Sequence, residues 1–263
     1  MKYTFHFQKQ RNASIMASKE TPSFNPEPLP QHLSRLIEMA ALTQPDNPTG
    51  MRVKLHPGER TEAREVITLG DNAAGKSLMR QLAFSDYQRS AKAANRHFEG
   101  IHISMATRAG GGMRASFMYG PWTDSEQSTG VMSLGPLSAA FNTAGSRDHA
   151  VALCLDEMEL GLNARFHFAL GQRIVQLHRE HTEGKEHFLG LMVVTHSKEL
   201  VQGYIAELGY RPAALMFGSK RDMSVHEWLD EPLKRASLDE LIALPGLARE
   251  TRRNFSEHLT GGK

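Results

Sequence analysis

Residues 150–155 and 189–195 are continuous apolar runs rather than alternating ones. Strands buried on both faces of a parallel sheet have that pattern. Between them, 164–181 spaces its apolar residues as a helix does. Upstream, 51–55 and 64–69 read as strands joined through the turn His56-Pro57-Gly58, and 77–96 as a long helix. Residues 101–106 and 113–119 read as two strands separated by Arg108-Ala109-Gly110-Gly111-Gly112, a hairpin turn in preference to a second phosphate cradle because no Lys-Ser follows it. Near the start, 31–42 sets Leu33, Leu36, Ile37 and Ala40 on one helical face before the breaker Gln44-Pro45-Asp46-Asn47-Pro48-Thr49-Gly50. Residues 213–217 read as one more strand. The stretch 237–259 carries helical signals that Pro245-Gly246 should break.

Three segments follow from this pattern. Residues 1–32 are polar and proline-rich and read as an extended arm, 33–220 as the main domain, and 221–263 as a C-terminal helical extension. The alternation of strands and helices predicts an α/β fold around a mostly parallel sheet.

The candidate chemistry sits at the turn after 64–69. Gly70, Asp71, Asn72, Ala73, Ala74, Gly75, Lys76 and Ser77 spell G-x-x-x-x-G-K-S between a β-prone run and a helix. In a phosphate-binding loop of this kind, successive backbone N–H groups wrap the α- and β-phosphates. Lys76 reaches the β/γ oxygens and the Ser77 hydroxyl ligates Mg²⁺. The following helix turns its positive N-terminal end to the anion. ATP and Mg²⁺ are the cofactors this predicts.

Hydrolysis needs a second acid at a neighbouring strand end and a group that orients water. The run 151–155 ends in Asp156, the metal-side acid, followed by Glu157, placed to polarise water opposite the γ-phosphate. His196, after an apolar strand ending in Thr195, is the candidate γ-phosphate contact.

These segments carry a resemblance. Asp156-Glu157-Met158-Glu159-Leu160-Gly161-Leu162-Asn163 resembles the Walker B and D-loop segment D-E-P-E-x-G-L of ABC-type ATPases, and Gly70 to Ser77 resembles their Walker A loop. Val194-Thr195-His196-Ser197 is similar to the segment that carries that family's switch histidine. Met132-Ser133-Leu134-Gly135-Pro136 lies where the family's signature stands, with Ser133 23 residues before Asp156. The resemblance spans 51–217. It implies an antiparallel β subdomain near the nucleotide, and a homodimer formed on ATP binding in which Ser133 and Gly135 of one subunit close over the γ-phosphate held by the other. Two departures stand out: Ala73 replaces a loop glycine, and the signature keeps only Ser133 and Gly135 of its polar, glycine-rich core. Gln127 and Gln88 are candidates for the family's Q-loop glutamine. Soluble members of the family act in DNA repair, chromosome maintenance and phage defence, which suggests a protein effector or a DNA-associated partner. Two other readings stay open, the nucleotide-binding subunit of a membrane transporter and a nucleotide-sensing module without turnover.

Composition narrows the partners little. With 31 basic and 29 acidic residues the net charge is +2, so any nucleic-acid contact would need a local patch. The first residues lack an apolar signal region and no apolar run is long enough to span a bilayer, which predicts a cytoplasmic protein without membrane spans. Cys154, the one cysteine, falls within an apolar strand and reads as a buried, inert thiol. His178, His181 and His187 read as a charged helix end rather than a zinc site.

Overall fold

Successive side chains on a strand point to opposite faces, so a strand apolar at every position needs a core on each side. The computed structural model, which describes residues 25–40, 42, 49–104, 134–232 and 235–260, has that arrangement. Its strands are β1 (Val53–His56), β2 (Glu65–Gly70), β3 (Phe98–Ser104), β4 (Ala150–Asp156), β5 (Phe188–Val194) and β6 (Ala213–Phe217). They form one sheet in the order β1-β6-β2-β5-β4-β3. All pairings are parallel except that of the edge strand β1 with β6.

The helices are α1 (Leu29–Met39), α2 (Lys76–Ala93), α3 (Leu134–Ser146), α4 (His167–His181), α5 (Lys198–Leu208), α6 (Val225–Asp230) and α7 (Leu238–Thr260). Ile67, Leu69, Leu153, Leu155, Leu191 and Val193 face one core, shared with α3, α4 and α5. Val66, Ala152, Cys154, Met192 and Val194 face the other, shared with α1 and α2. Cys154 is fully buried, and burial pushes its thiol well up, away from reactivity.

Several expectations change. The strand that carries Asp156 does not neighbour β2, the strand that leads into residues 70–75, because β5 lies between β2 and β4. β1 and β2 do not pair across the His56-Pro57-Gly58 turn, since β6 is inserted between them. Leu29 and His32 belong to α1 and are buried, so the expected arm gives way to a packed helix before residue 32. Helix α7 runs through Pro245 without a break. Proline removes the hydrogen bond that the carbonyl of Leu241 would accept, and Leu241 is exposed, so water can take its place. Among the described residues the antiparallel pairing is confined to β1 and β6; the expected strand 113–119 lies outside them.

His178 is not a surface histidine. It lies 3% exposed, with Nε2 2.8 Å from Glu65 Oε1 and Nδ1 2.5 Å from Thr182 Oγ1. The Tyr210 hydroxyl donates to Glu65 Oε2 at 3.0 Å. Burial alone would raise the Glu65 carboxyl, but the hydrogen bond and charge of His178, with help from Tyr210, outweigh it and hold the group below its ordinary value of 4.5. A carboxyl lowered in the folded state stabilises the fold above the unfolded value, and the contribution is lost as pH falls through the folded one. His178→Ala strands this carboxylate and should cost roughly 3 kcal/mol or more at pH 7. In urea denaturation the gap to the unsubstituted protein should narrow on acidification, as Glu65 becomes neutral. A gap that does not change with pH would mean that His178 contributes through packing alone.

Candidate functional site

Sheet order and strand direction bring four segments to one end of the sheet. β2 runs into the loop 70–75, which opens α2; β4 ends in Asp156; β5 leads into Thr195-His196-Ser197; and α7 lies over them. Asn72, Ala73, Ala74, Gly75, Lys76 and Ser77 line a cavity there together with Asp156, Glu157 and His196. Ala248, Thr251 and Arg252 of α7 complete the lining.

The loop geometry explains its glycines. Gly70 has φ +123°, and a Cβ there would lie 2.4 Å from the Phe217 carbonyl oxygen. Gly75 caps α2 at φ +101°, a conformation L-residues rarely adopt. Lys76 is 8% exposed, and its ammonium donates to the carbonyls of Gly70 at 3.1 Å and Asp71 at 2.8 Å. The lysine thus folds back across its own loop. Burial lowers its pKa from 10.5 to about 8, against the opposing pull of Glu157, Asp71 and Asp156. The Asp71 carboxylate turns away from the cavity: Oδ2 accepts from Ser219 N at 2.7 Å and Ser219 Oγ at 2.8 Å. Asp71 and Gly70 therefore shape the loop and do not line the cavity.

Backbone strain concentrates at this end. Among the described residues three non-glycines have positive φ, and two of them, Ala73 at 60° and Glu157 at 54°, line the cavity. Left-handed backbone costs an L-residue roughly 1–2 kcal/mol. The surroundings hold Glu157 there: its N–H donates to the Val194 carbonyl at 2.9 Å, and Oε1 lies 3.4 Å from His196 Nε2.

The supporting roles of two residues went unread in the sequence. His102 on β3 places Nε2 3.2 Å from Asp156 Oδ2. The signal was there in part, since Ile101-His102-Ile103 sends His102 to the face opposite its apolar neighbours, and the register pairs it with Cys154, two residues from Asp156. Glu159, 6% exposed, accepts from Thr195 Oγ1 at 2.6 Å and from His196 N at 3.1 Å. A carboxylate four residues downstream of β4's last apolar position thus fixes the loop that carries His196. Ser197 caps α5 through Leu200 N and contacts His167 Nδ1 at 2.9 Å.

The donor set suits a hard cation. Ser77 and Asp156 line the same cavity, and Mg²⁺ takes few protein oxygens, completing its shell with water and phosphate. Gly135 lies exposed in the first turn of α3, away from this cavity. Ser133 and Gln127 are outside the described residues; Gln88 is exposed on α2 and does not line the cavity. Among the described residues no group of three or more His, Cys, Asp or Glu is placed to hold a metal. No helix among them is long and apolar enough to cross a membrane.

No protein-family model and no curated protein matches the chain. Among solved structures, the Aeropyrum pernix ORC2 protein, in ADPNP–ADP complexes, matches with 12% identity over 72% of this chain at a TM-score of 0.33. The match covers 47% of that protein, so this chain spans about half its length.

Proposed function

We propose that the chain is an ATP-binding and ATP-hydrolysing protein of the ABC type, acting as an ATP-gated switch. The observation that carries this reading is the convergence of Lys76, Ser77, Asp156, Glu157 and His196 on one cavity from three strand ends and one helix start. The backbone N–H groups of 72–76 and the N-terminus of α2 hold the phosphate chain. Lys76 exchanges the carbonyls of Gly70 and Asp71 for phosphate oxygens. Mg²⁺, held through Ser77 and Asp156, supplies Lewis-acid stabilisation of the phosphates when bound. Glu157 accepts a proton from the attacking water as it approaches the γ-phosphate, and His196 lies where it can contact that group. His102 fixes the orientation of Asp156, and Glu159 that of His196.

In this reading the ATP-bound chain forms a head-to-tail homodimer through Ser133 and Gly135, and the effector is a protein or DNA-associated partner. A membrane-transporter subunit is the weaker reading, since the chain lacks a faithful signature and a clear Q-loop. The strained Ala73 favours a second reading, a nucleotide-sensing module with slow or no turnover, because left-handed backbone at an alanine opposes the loop shape. Calorimetric titration with Mg²⁺ and ATP, paired with a phosphate-release assay, separates the two. Saturable binding with turnover supports the ATPase, binding without turnover the sensing module, and absence of binding overturns both.

A further inference from the structure

Ala248, Thr251 and Arg252 line the candidate cavity from α7, and Phe255 continues the same series. Positions spaced at i, i+3, i+4 and i+7 share one face of a helix, so a single face of α7 is turned toward the phosphate loop. Phe255 anchors that face: it is 2% exposed and belongs to the core cluster that includes Met51, Leu36 and Leu78. The first half of α7 is different, with Leu238, Leu241 and Ile242 all more than half exposed. The C-terminal half is thus the part that the fold holds in place, and it is held beside the loop.

Arg252 is the group on this face with no local role. Its guanidinium makes no hydrogen bond or ion pair among the described residues, whereas Arg35, Arg147, Arg173, Arg179 and Arg221 are all paired with carboxylates. A guanidinium with no partner among the described residues, on the wall of a cavity that also holds Lys76, suits an anion with several oxygens, which it can grip through two parallel N–H bonds.

We infer that α7 completes the phosphate site from within the same chain, with Arg252 donating to the terminal phosphate of a bound nucleoside triphosphate. The inference rests on the nucleotide reading above and adds to it. Such a contact exists with a triphosphate and is missing or weak with a diphosphate, so Arg252 sets the preference of the site for ATP over ADP. It needs no second subunit.

The test is calorimetric titration of the full chain with Mg·ATP and Mg·ADP. Arg252→Ala should weaken ATP about tenfold or more, the loss of a charge-assisted bond, and leave ADP within about twofold. Arg252→Lys should recover part of the ATP affinity, because the charge returns without the planar fork. Arg252→Glu should exceed the alanine effect for ATP. Arg253→Ala, next to it but not on the cavity wall, should bind both nucleotides as the unsubstituted protein does. Equal weakening of both nucleotides by Arg252→Ala, or no change in either, overturns the assignment while leaving the nucleotide site intact. Failure of the unsubstituted protein to bind either nucleotide overturns the nucleotide reading itself.

Discussion

Lys76→Ala is expected to lower ATP affinity by about a hundredfold or more while the protein stays folded. The ammonium is a buried cation at the head of α2 that donates to two backbone carbonyls, and in the proposed reading it exchanges them for β- and γ-phosphate oxygens. Charge-assisted bonds to phosphate are roughly twice as strong as neutral ones, and a lysine placed in this way makes more than one. The unliganded state pays for keeping the charge. Burial brings the pKa down to about 8, so between about 8 and 10.5 the folded chain holds fewer protons than the unfolded chain. The penalty is therefore present at neutral pH and relaxes as pH rises through about 8. Removing the lysine lifts that penalty, and the thermal midpoint should hold or rise even as binding is lost. The same argument predicts proton uptake. A triphosphate beside Lys76 raises its pKa again, so at pH 8.5 binding should take up roughly three-quarters of a proton, falling to about a tenth at pH 7. Titrations in buffers of different ionisation heat measure this directly. Full ATP affinity in Lys76→Ala would exclude the loop as the phosphate site, and binding without proton uptake at pH 8.5 would exclude a buried, partly neutral lysine.

The parts of this architecture that could be read from sequence are those set by local patterning. β4, β5 and β6 were placed to within a residue or so because each is an apolar run ended by a group that cannot continue it, such as Asp156-Glu157 after β4. That Asn72 to Ser77, Asp156, Glu157 and His196 would meet at one cavity could be expected, because a phosphate site of the proposed kind restricts residue type and spacing at once. Pairing order was not visible. Nothing near β2 in the chain says that β5 and β6 flank it, since that depends on contacts more than a hundred residues away. The Glu65 and His178 pair is hidden for the same reason: alone, each is a charged residue near an element end, and only their 113-residue contact makes them a buried couple. The approach of Arg252 required α7 to persist through Pro245. A proline whose i−4 residue is exposed, as Leu241 is, costs less than local rules assume. The Ala73 departure was visible in the sequence, and the structure gives it a physical form, a left-handed alanine on the cavity wall.

Glu157→Gln should retain ATP affinity within a few-fold and lower turnover by about a hundredfold or more. A general base contributes roughly 10²–10⁴ in rate, and that contribution is made in the transition state rather than in binding. The position argues for such a role. Glu157 stands in left-handed backbone, closes an apolar strand and faces His196 at 3.4 Å. Strain at a cavity-facing residue persists where the surroundings impose it, here through the bond from its N–H to the Val194 carbonyl. Glutamine keeps the shape and the backbone but cannot accept the proton. A second variant separates base from backbone. Glu157→Gly relieves the left-handed cost, so it should fold at least as stably, yet it should be as inactive as the glutamine form. Single-turnover measurements with saturating Mg·ATP, beside titrations of each variant, supply both quantities. If the proposed homodimer forms, ATP trapped by Glu157→Gln should shift the chain to twice its mass in light scattering, and an added Ser133→Arg should return it to the monomer. Turnover that survives in Glu157→Gln would move the base to another group on the cavity wall. A glutamine form that binds ATP and stays monomeric at micromolar concentration would instead leave closure of the site to the chain's own α7.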